Sequence, residues 1–385
     1  MRLSVIVPFY QGHKYISDLI KMTEVCTEKL DGHSAVELIL SNDNPKEEIA
    51  KNFNSDIVDV VVVNTNINRG IHGARVRGLS HSTGDYVVFL DQDDRISTDY
   101  FRSQLAALGG ADAVVCKAKE NGREIYNTTV PFTKTIDYQN MVSVGNTIVS
   151  PGQVLMRREA VPDIWKCNIL KNNGVDDWFL WICMMHQECR FELNEDILFE
   201  HRIEGNNLSW DSGKMFLSEK EMLEIIKKEF VLGSVMLEKI ENLIASEQQR
   251  YISILEKYRK MFFLYDRWMD LECQLGSISE YLYSQKIRKV AVYGMGYIGK
   301  QLVNRLKGTN VSLIGAIDRN AGFINTDIMV VRLEEFEQEA DLVIITVLDN
   351  TEAILNDVRR QTGIPAIPIN QLLEIWKQGG RVQDE

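Results

Sequence analysis

The feature that most constrains this chain is a rhythm in its first hundred residues. Four short runs rich in Val, Ile and Leu, at residues 3–7, 36–40, 57–63 and 86–90, each end in polar turn residues. Strands buried on both faces of a parallel sheet read this way, as continuous apolar runs rather than alternating ones. Between the first two runs, residues 15–30 carry apolar side chains at helical spacing, and residues 74–80 do so between the third and fourth. Strands alternating with helices predict an α/β layer architecture.

Two changes of character follow. Residues 215–284 are rich in Glu, Lys, Leu, Ile and Met, lack proline and hold only Gly233 and Gly276. They predict long amphipathic helices, read first as packed within the chain and second as a dimerising coiled coil. From Lys289 the strand–helix–strand rhythm resumes, in KVAVYGMGYIGKQLVNRL, VSLIGAIDRN and DLVIITVLDN. The expected organisation is an α/β domain over residues 1–214, a helical segment over 215–286 and a second, Rossmann-like α/β domain over 287–385.

Composition removes several function classes. Lys and Arg number 43 against 55 Asp and Glu, a net charge of −12, which disfavours general nucleic-acid binding. No run of 18 apolar residues is present, and MRLSVIVPFY lacks the plan of a signal peptide. A cytoplasmic protein is expected, with peripheral contact at the inner membrane face left open. The six cysteines form no CxxC pair and match no zinc spacing, so isolated thiols are favoured over a Cys183–Cys189 bridge.

In open parallel sheets, ligands bind beyond the carboxyl ends of the strands. Those ends hold Pro8, Phe9 and Tyr10, then Asn42, Asp43 and Asn44, then residues 64–73, then Asp91, Gln92, Asp93 and Asp94. Three carboxylates within four residues raise one another's pKa, and a hard divalent cation would relieve that cost. Magnesium or manganese suits such oxygen donors. A solvated acidic turn is the plainer alternative.

Taken together, MRLSVIVPFY, ELILSNDNP and NRGIHGARVRGLSHSTGDYVVFLDQDD resemble the N-terminal half of family 2 glycosyltransferases, which have the GT-A fold. The resemblance covers about the first hundred residues and implies a domain that binds a nucleotide-diphosphate sugar, with UDP the expected nucleotide. It places Pro8, Phe9, Tyr10 and Asp43 around the nucleobase and ribose. Asn42 stands where many relatives carry another Asp. Asn68, Gly70, Arg75 and Gly78 match the family's Asn-x-Gly and Ala-Arg-Asn-x-Gly segment, with Val76 in place of the usual Asn. Donor contacts are expected from Asn68, Gly70, Arg75 and Gln92, and Mn2+ or Mg2+ from Asp91 and Asp93.

Further along, Gly174-Val-Asp-Asp-Trp-Phe-Leu-Trp resembles the family's Glu-Asp motif at a helix start near the acceptor. That carry-over makes Asp177 the general base and Asp176 its acidic neighbour, although acids in a first helical turn are also common for dipole reasons. Trp178 and Trp181 could stack on a sugar or fill the core. VGNTIVSPGQVLMRREAV, with Asn146, Gly152 and Gln153, is expected to line the acceptor side. EHRIEGNNLSW resembles a segment that closes over the diphosphate, with Arg202 and Ser209 matching. Glu204 replaces the family's His, which puts a histidine metal ligand in doubt and leaves His201 as a substitute candidate.

In the second α/β domain, Gly294, Gly296 and Gly299 form a GxGxxG between a predicted strand and helix, and Asp318 ends the next strand. A structural or regulatory module is favoured there over one that holds NAD(P). An oxidoreductase is not expected, because residues 287–385 are short for a nucleotide-binding domain joined to a catalytic one. The reading that emerges is a metal-dependent inverting glycosyltransferase with a saccharide or lipid-linked acceptor, in bacterial surface polysaccharide assembly. A homodimer is left open. The competing reading is an inactive, nucleotide-responsive scaffold, whose support is Glu204.

Overall fold

The computed structural model describes residues 1–32, 34–53, 55–120, 122–127, 131–202, 212–230 and 234–379. Glu204 and Ser209 lie outside the described residues. The chain divides into two compact units, residues 1–249 and 250–385.

The first unit is built on one sheet. Its strands are β1 (Arg2–Phe9), β2 (Ala35–Asn42), β3 (Val58–Val63), β4 (Tyr86–Phe89), β5 (Arg95–Ile96), β6 (Ala113–Glu120), β7 (Arg123–Glu124), β8 (Val154–Arg157) and β9 (Phe191–His201). They run in the order β3-β2-β1-β4-β8-β6-β9-β5, with β7 beside β6. Strands β3, β2, β1 and β4 are parallel neighbours, whereas β8 joins β4 and β6 antiparallel. The parallel half comes from the four apolar runs read in the sequence. Burial explains their composition: Leu3, Val5, Ile6, Leu38, Ile39, Val87 and Val88 are wholly enclosed.

The helices of this unit are α1 (Ile16–Thr27), α2 (Gly70–His81), α3 (Tyr100–Leu108), α4 (Tyr138–Ser143), α5 (Asp163–Cys167), α6 (Asp176–His186) and α7 (Ser212–Glu229). Helix α2 begins at Gly70, four residues before the expected start. It lies so close to β1 that a Cβ at Gly78 would meet the Ile6 side chain at 2.4 Å. Cys183 and Cys189 are both free thiols.

The helical segment resolves into α7, α8 (Ser234–Leu275) and α9 (Ile278–Ser284), and the boundary between the two units falls inside α8. Five parallel strands form the second unit: β10 (Lys289–Tyr293), β11 (Ser312–Ile317), β12 (Val330–Val331), β13 (Leu342–Ile345) and β14 (Ala366–Pro368), in the order β12-β11-β10-β13-β14. Helices α10 (Tyr297–Leu306), α11 (Thr351–Thr362) and α12 (Ile369–Lys377) complete it. Among the described residues, no helix is long and apolar enough to cross a membrane.

Candidate active site

Strand order reverses between β1 and β4, and that switch point is where an open α/β sheet holds its ligand. The polar side chains beyond β1, β2 and β4 converge there because each strand ends at the same edge.

Arg75, on α2 and almost fully buried, organises the centre. Its Nη2 donates to Asp91 Oδ1 at 2.6 Å and its Nη1 to Asp176 Oδ2 at 2.5 Å. Against the cost of burial, Asp176 and then Asp91 hold the guanidinium above its usual range. One cation thus ties the acidic turn after β4 to the first turn of α6. A buried charge is tolerable only when paired in this way. Arg75 was expected to touch the donor; in this structure its guanidinium bridges two carboxylates.

Asp177 follows Asp176 at the start of α6. Its Oδ2 accepts from Asn146 Nδ2 at 3.0 Å and its Oδ1 from the Trp178 amide at 2.8 Å. Burial, then the neighbouring Asp176 charge, raises its pKa to about 7, with Arg75 pulling the other way. A carboxylate with a pKa near neutrality is matched to accepting a proton at physiological pH. Asp94 is held by Ser150 Oγ at 3.0 Å and the Arg202 amide at 3.2 Å. Burial, then Asp91 and Asp93, pushes it well above the usual carboxylate range. The loop containing Asn146 and Ser150 therefore reaches both acidic clusters, a link the sequence reading placed only loosely on the acceptor side.

Donor-side residues divide by role. Tyr10 is exposed, but Pro8 and Phe9 are buried in the core edge. Gln92 brackets the Tyr10 backbone, its Oε1 accepting from the amide at 3.1 Å and its Nε2 donating to the carbonyl at 3.2 Å. It positions Tyr10 rather than presenting its own amide. Asp43 accepts from the Arg69 amide and from Arg77 Nη2, each at 3.1 Å. Asn68 accepts from the Gly70 amide at 3.0 Å, and Asn173 from the Ile71 amide at 2.9 Å. These side chains satisfy the first amides of α2, which lack helical partners. Gly70 itself has φ +76°, and a Cβ there would strike Asn173.

Four further expected residues have their partners within the fold. His201 Nδ1 pairs with Glu120 at 3.0 Å, and no cluster of three or more His, Cys, Asp and Glu side chains is placed to hold a metal among the described residues. His201 is thus not gathered with Asp91 and Asp93. Trp178 is 5% exposed, and its indole N–H donates to the Met141 carbonyl at 3.0 Å, while Trp181 is wholly buried. Core packing is what both tryptophans do. Gly152 is buried too; a Cβ there would meet the Phe199 ring at 2.5 Å, so its lack of a side chain serves packing.

Asp91 and Asp93 offer carboxylate oxygens from one turn. That donor set fits Mg2+ or Mn2+, which take one or two carboxylates and fill their remaining positions with substrate phosphates and water.

Residues 4–165 match the family model described as glycosyl transferase family 2. Residues 4–165 are a family 2 glycosyltransferase domain. The transferase is 26% identical over 211 residues to an uncharacterized glycosyltransferase of Haemophilus influenzae, covering 52% of this chain and 76% of that protein. It is 31% identical over 105 residues to the minor teichoic acid biosynthesis protein GgaB of Bacillus subtilis, covering 26% of this chain but only 11% of that one. Among solved structures it resembles S. aureus TarS residues 1–349, with 16% identity and a TM-score of 0.44 over 64% of this chain and 72% of the other.

In the second unit, Asp318 Oδ2 accepts from the Met295 amide at 2.7 Å and Oδ1 from the Asn320 amide at 2.9 Å. Thr346 Oγ1 donates to the Gly294 carbonyl at 2.6 Å. A Cβ on Gly299 would lie 1.9 Å from that same carbonyl, while Gly296 has open space around it. Two of the three glycines are thus explained without a ligand, Gly294 by its φ of +96° and Gly299 by close packing.

Proposed function

We propose that this transferase is a metal-dependent, inverting enzyme. It moves a hexosyl or N-acetylhexosaminyl group from a nucleotide sugar, with UDP as the nucleotide, to a saccharide or lipid-linked acceptor in bacterial surface polysaccharide assembly. The observation that carries the reading is Asp177. It is a carboxylate with a pKa near 7, held by Asn146, beside an arginine that also holds the Asp-x-Asp turn. An inverting displacement needs a base for the acceptor hydroxyl and charge stabilisation for the leaving diphosphate, on opposite sides of the sugar.

In this reading Asp177 takes the hydroxyl proton at one of its carboxylate oxygens as the acceptor oxygen attacks the anomeric carbon. Asn146 fixes the carboxylate rotamer so that proton transfer needs little rearrangement. Arg75 keeps Asp91 and Asp176 in register, so the donor turn and the base helix hold a constant separation. Asp91 and Asp93 would hold a divalent cation, which would supply positive charge to offset that of the leaving diphosphate. Asp94, closed off by Ser150 and the Arg202 amide, shapes the turn on which those two carboxylates sit. Similarity to a teichoic acid biosynthesis protein supports a surface-glycan setting.

The test is a calorimetric titration of UDP with and without manganese, on wild type and on Asp93→Ala. Binding that requires manganese and disappears in the variant is expected. Equal binding with and without manganese would overturn the metal assignment, and no UDP binding under any condition would overturn the donor nucleotide.

A further inference from the structure

Within the second unit, α8 carries apolar side chains on two faces, and one of them packs into that unit's core. Leu264, Trp268 and Leu271 are buried in the core of the second unit. Another face leaves Leu255, Tyr258, Phe262, Phe263 and Met269 exposed at 49%, 52%, 65%, 55% and 53%. Exposed aromatic and aliphatic side chains at this density on one helix mark an interaction surface.

The spacing says what kind. With Tyr265, half-buried against the second unit's core and stacked on Trp268, positions 255, 258, 262, 265 and 269 advance by three and four residues alternately, the seam of a two-helix coiled coil, and Phe263 lies beside it. Over about 21 Å of helix, at 1.5 Å per residue, the seam stays on one side. The charges beside it select the partner and its direction. Arg259 and Asp266 each follow a seam residue, Tyr258 and Tyr265, and so sit on the same flank. In a parallel pair that flank faces the opposite flank of the second helix, which carries Ile254 and Met261. In an antiparallel pair the flank faces itself, so Arg259 of each copy meets Asp266 of the other. A two-fold axis near residue 263 satisfies both ion pairs at once, as an isologous contact requires.

We propose that residues 255–270 of α8 pair antiparallel with the same segment of a second copy of this chain. A bilayer surface is the rival occupant, since aromatic and basic residues mix on this helix. It is disfavoured because Asp266 and Arg259 lie within the apolar arc, where an acid would face acyl chains and anionic headgroups.

The test is sedimentation equilibrium of the full chain across a dilution series. A dimer is expected, and Phe262→Glu should yield a monomer with unaltered UDP binding. Arg259→Asp and Asp266→Arg should each weaken dimerisation roughly tenfold or more, and the double charge swap should restore it. A wild-type monomer of 44.1 kDa at tens of micromolar overturns the proposal. So does a dimer indifferent to Phe262→Glu, or a double swap that fails to rescue, which removes the antiparallel pairing. Co-sedimentation of monomeric wild type with phosphatidylglycerol vesicles, lost in Phe262→Glu, would assign the face to a membrane instead.

Discussion

The two parallel sheets of this chain share a plan and differ in what they do with it. Each places its first strand between its second and fourth, counting β10, β11 and β13 as first, second and fourth in the smaller sheet. Each has an aspartate just past its second strand: Asp43 in one, Asp318 in the other. In the first sheet, Asp91 past β4 and Asp176 at the start of α6 share a buried arginine, and their neighbours Asp94 and Asp177 are raised well above the usual carboxylate range. In the second, Asp318 gives both oxygens to backbone amides, and Thr346 Oγ1 donates to the Gly294 carbonyl. The strand-end rule points to the same edge in both; what differs is the electrostatics of the residues found there.

The sharpest way to break that comparison is Asp177→Asn. An amide cannot take a proton, and Asn146 can still reach the remaining side-chain oxygen. Transfer should fall by roughly 10²–10⁴-fold, the usual contribution of a general base, with UDP affinity unchanged by calorimetry. Near-wild-type turnover would move the base elsewhere and leave Asp177 as a helix-start acid. Arg75→Met should come next. It strands Asp176, buried, and Asp91, partly buried, without their cation. Removing one partner of a buried pair costs about 3–5 kcal/mol, read as a fall in the denaturant midpoint. If stability held while activity vanished, Arg75 would be a donor contact, as the sequence first suggested.

That last contrast shows where sequence reading stops. The parallel strands were legible because burial on both faces forces unbroken Val, Ile and Leu runs. The acidic turn after β4 was legible because its residues are adjacent in the chain. The start of α2 was not: the side chains that satisfy its first amides, Asp43 and Asn173, lie 26 and 102 residues from the amides they bind. The same holds for Arg75, whose partner Asp176 is 101 residues away. Gln92 read as a donor contact because it sits inside the motif, whereas only the fold reveals Tyr10 as its partner. Trp178 and Trp181 were undecidable until burial was known, since an aromatic residue at a helix start suits a sugar or a core equally well.

The pH dependence of transfer sharpens the same comparison with a smaller effect. Asp177 must be ionised to act, so kcat/KM should fall about tenfold per unit below pH 7 and level off above it. Stability runs the other way. A carboxyl whose folded pKa is raised binds its proton more tightly in the folded chain. Its contribution therefore favours folding at acid pH and is lost as pH rises from about 4 to about 7. Asp177→Asn should remove both trends. An acid limb that persists in a residually active variant would assign the titration to another group, Asp94 being the next most perturbed.

Asp318→Ala is the mildest perturbation and tests the other side of the comparison. The substitution leaves the Met295 and Asn320 amides without their acceptor, and Met295 is buried. An unsatisfied buried donor costs about 1–3 kcal/mol, so the second unit should melt earlier while UDP binding and transfer stay at wild-type levels. If both oxygens serve the turn, NADH should show no fluorescence change on mixing with either protein. The opposite pattern is equally readable. NADH binding in wild type that is lost in Asp318→Ala, with no change in melting, would mean the carboxylate exchanges its backbone amides for a ribose. The two sheets would then differ in which nucleotide they hold rather than in whether they hold one.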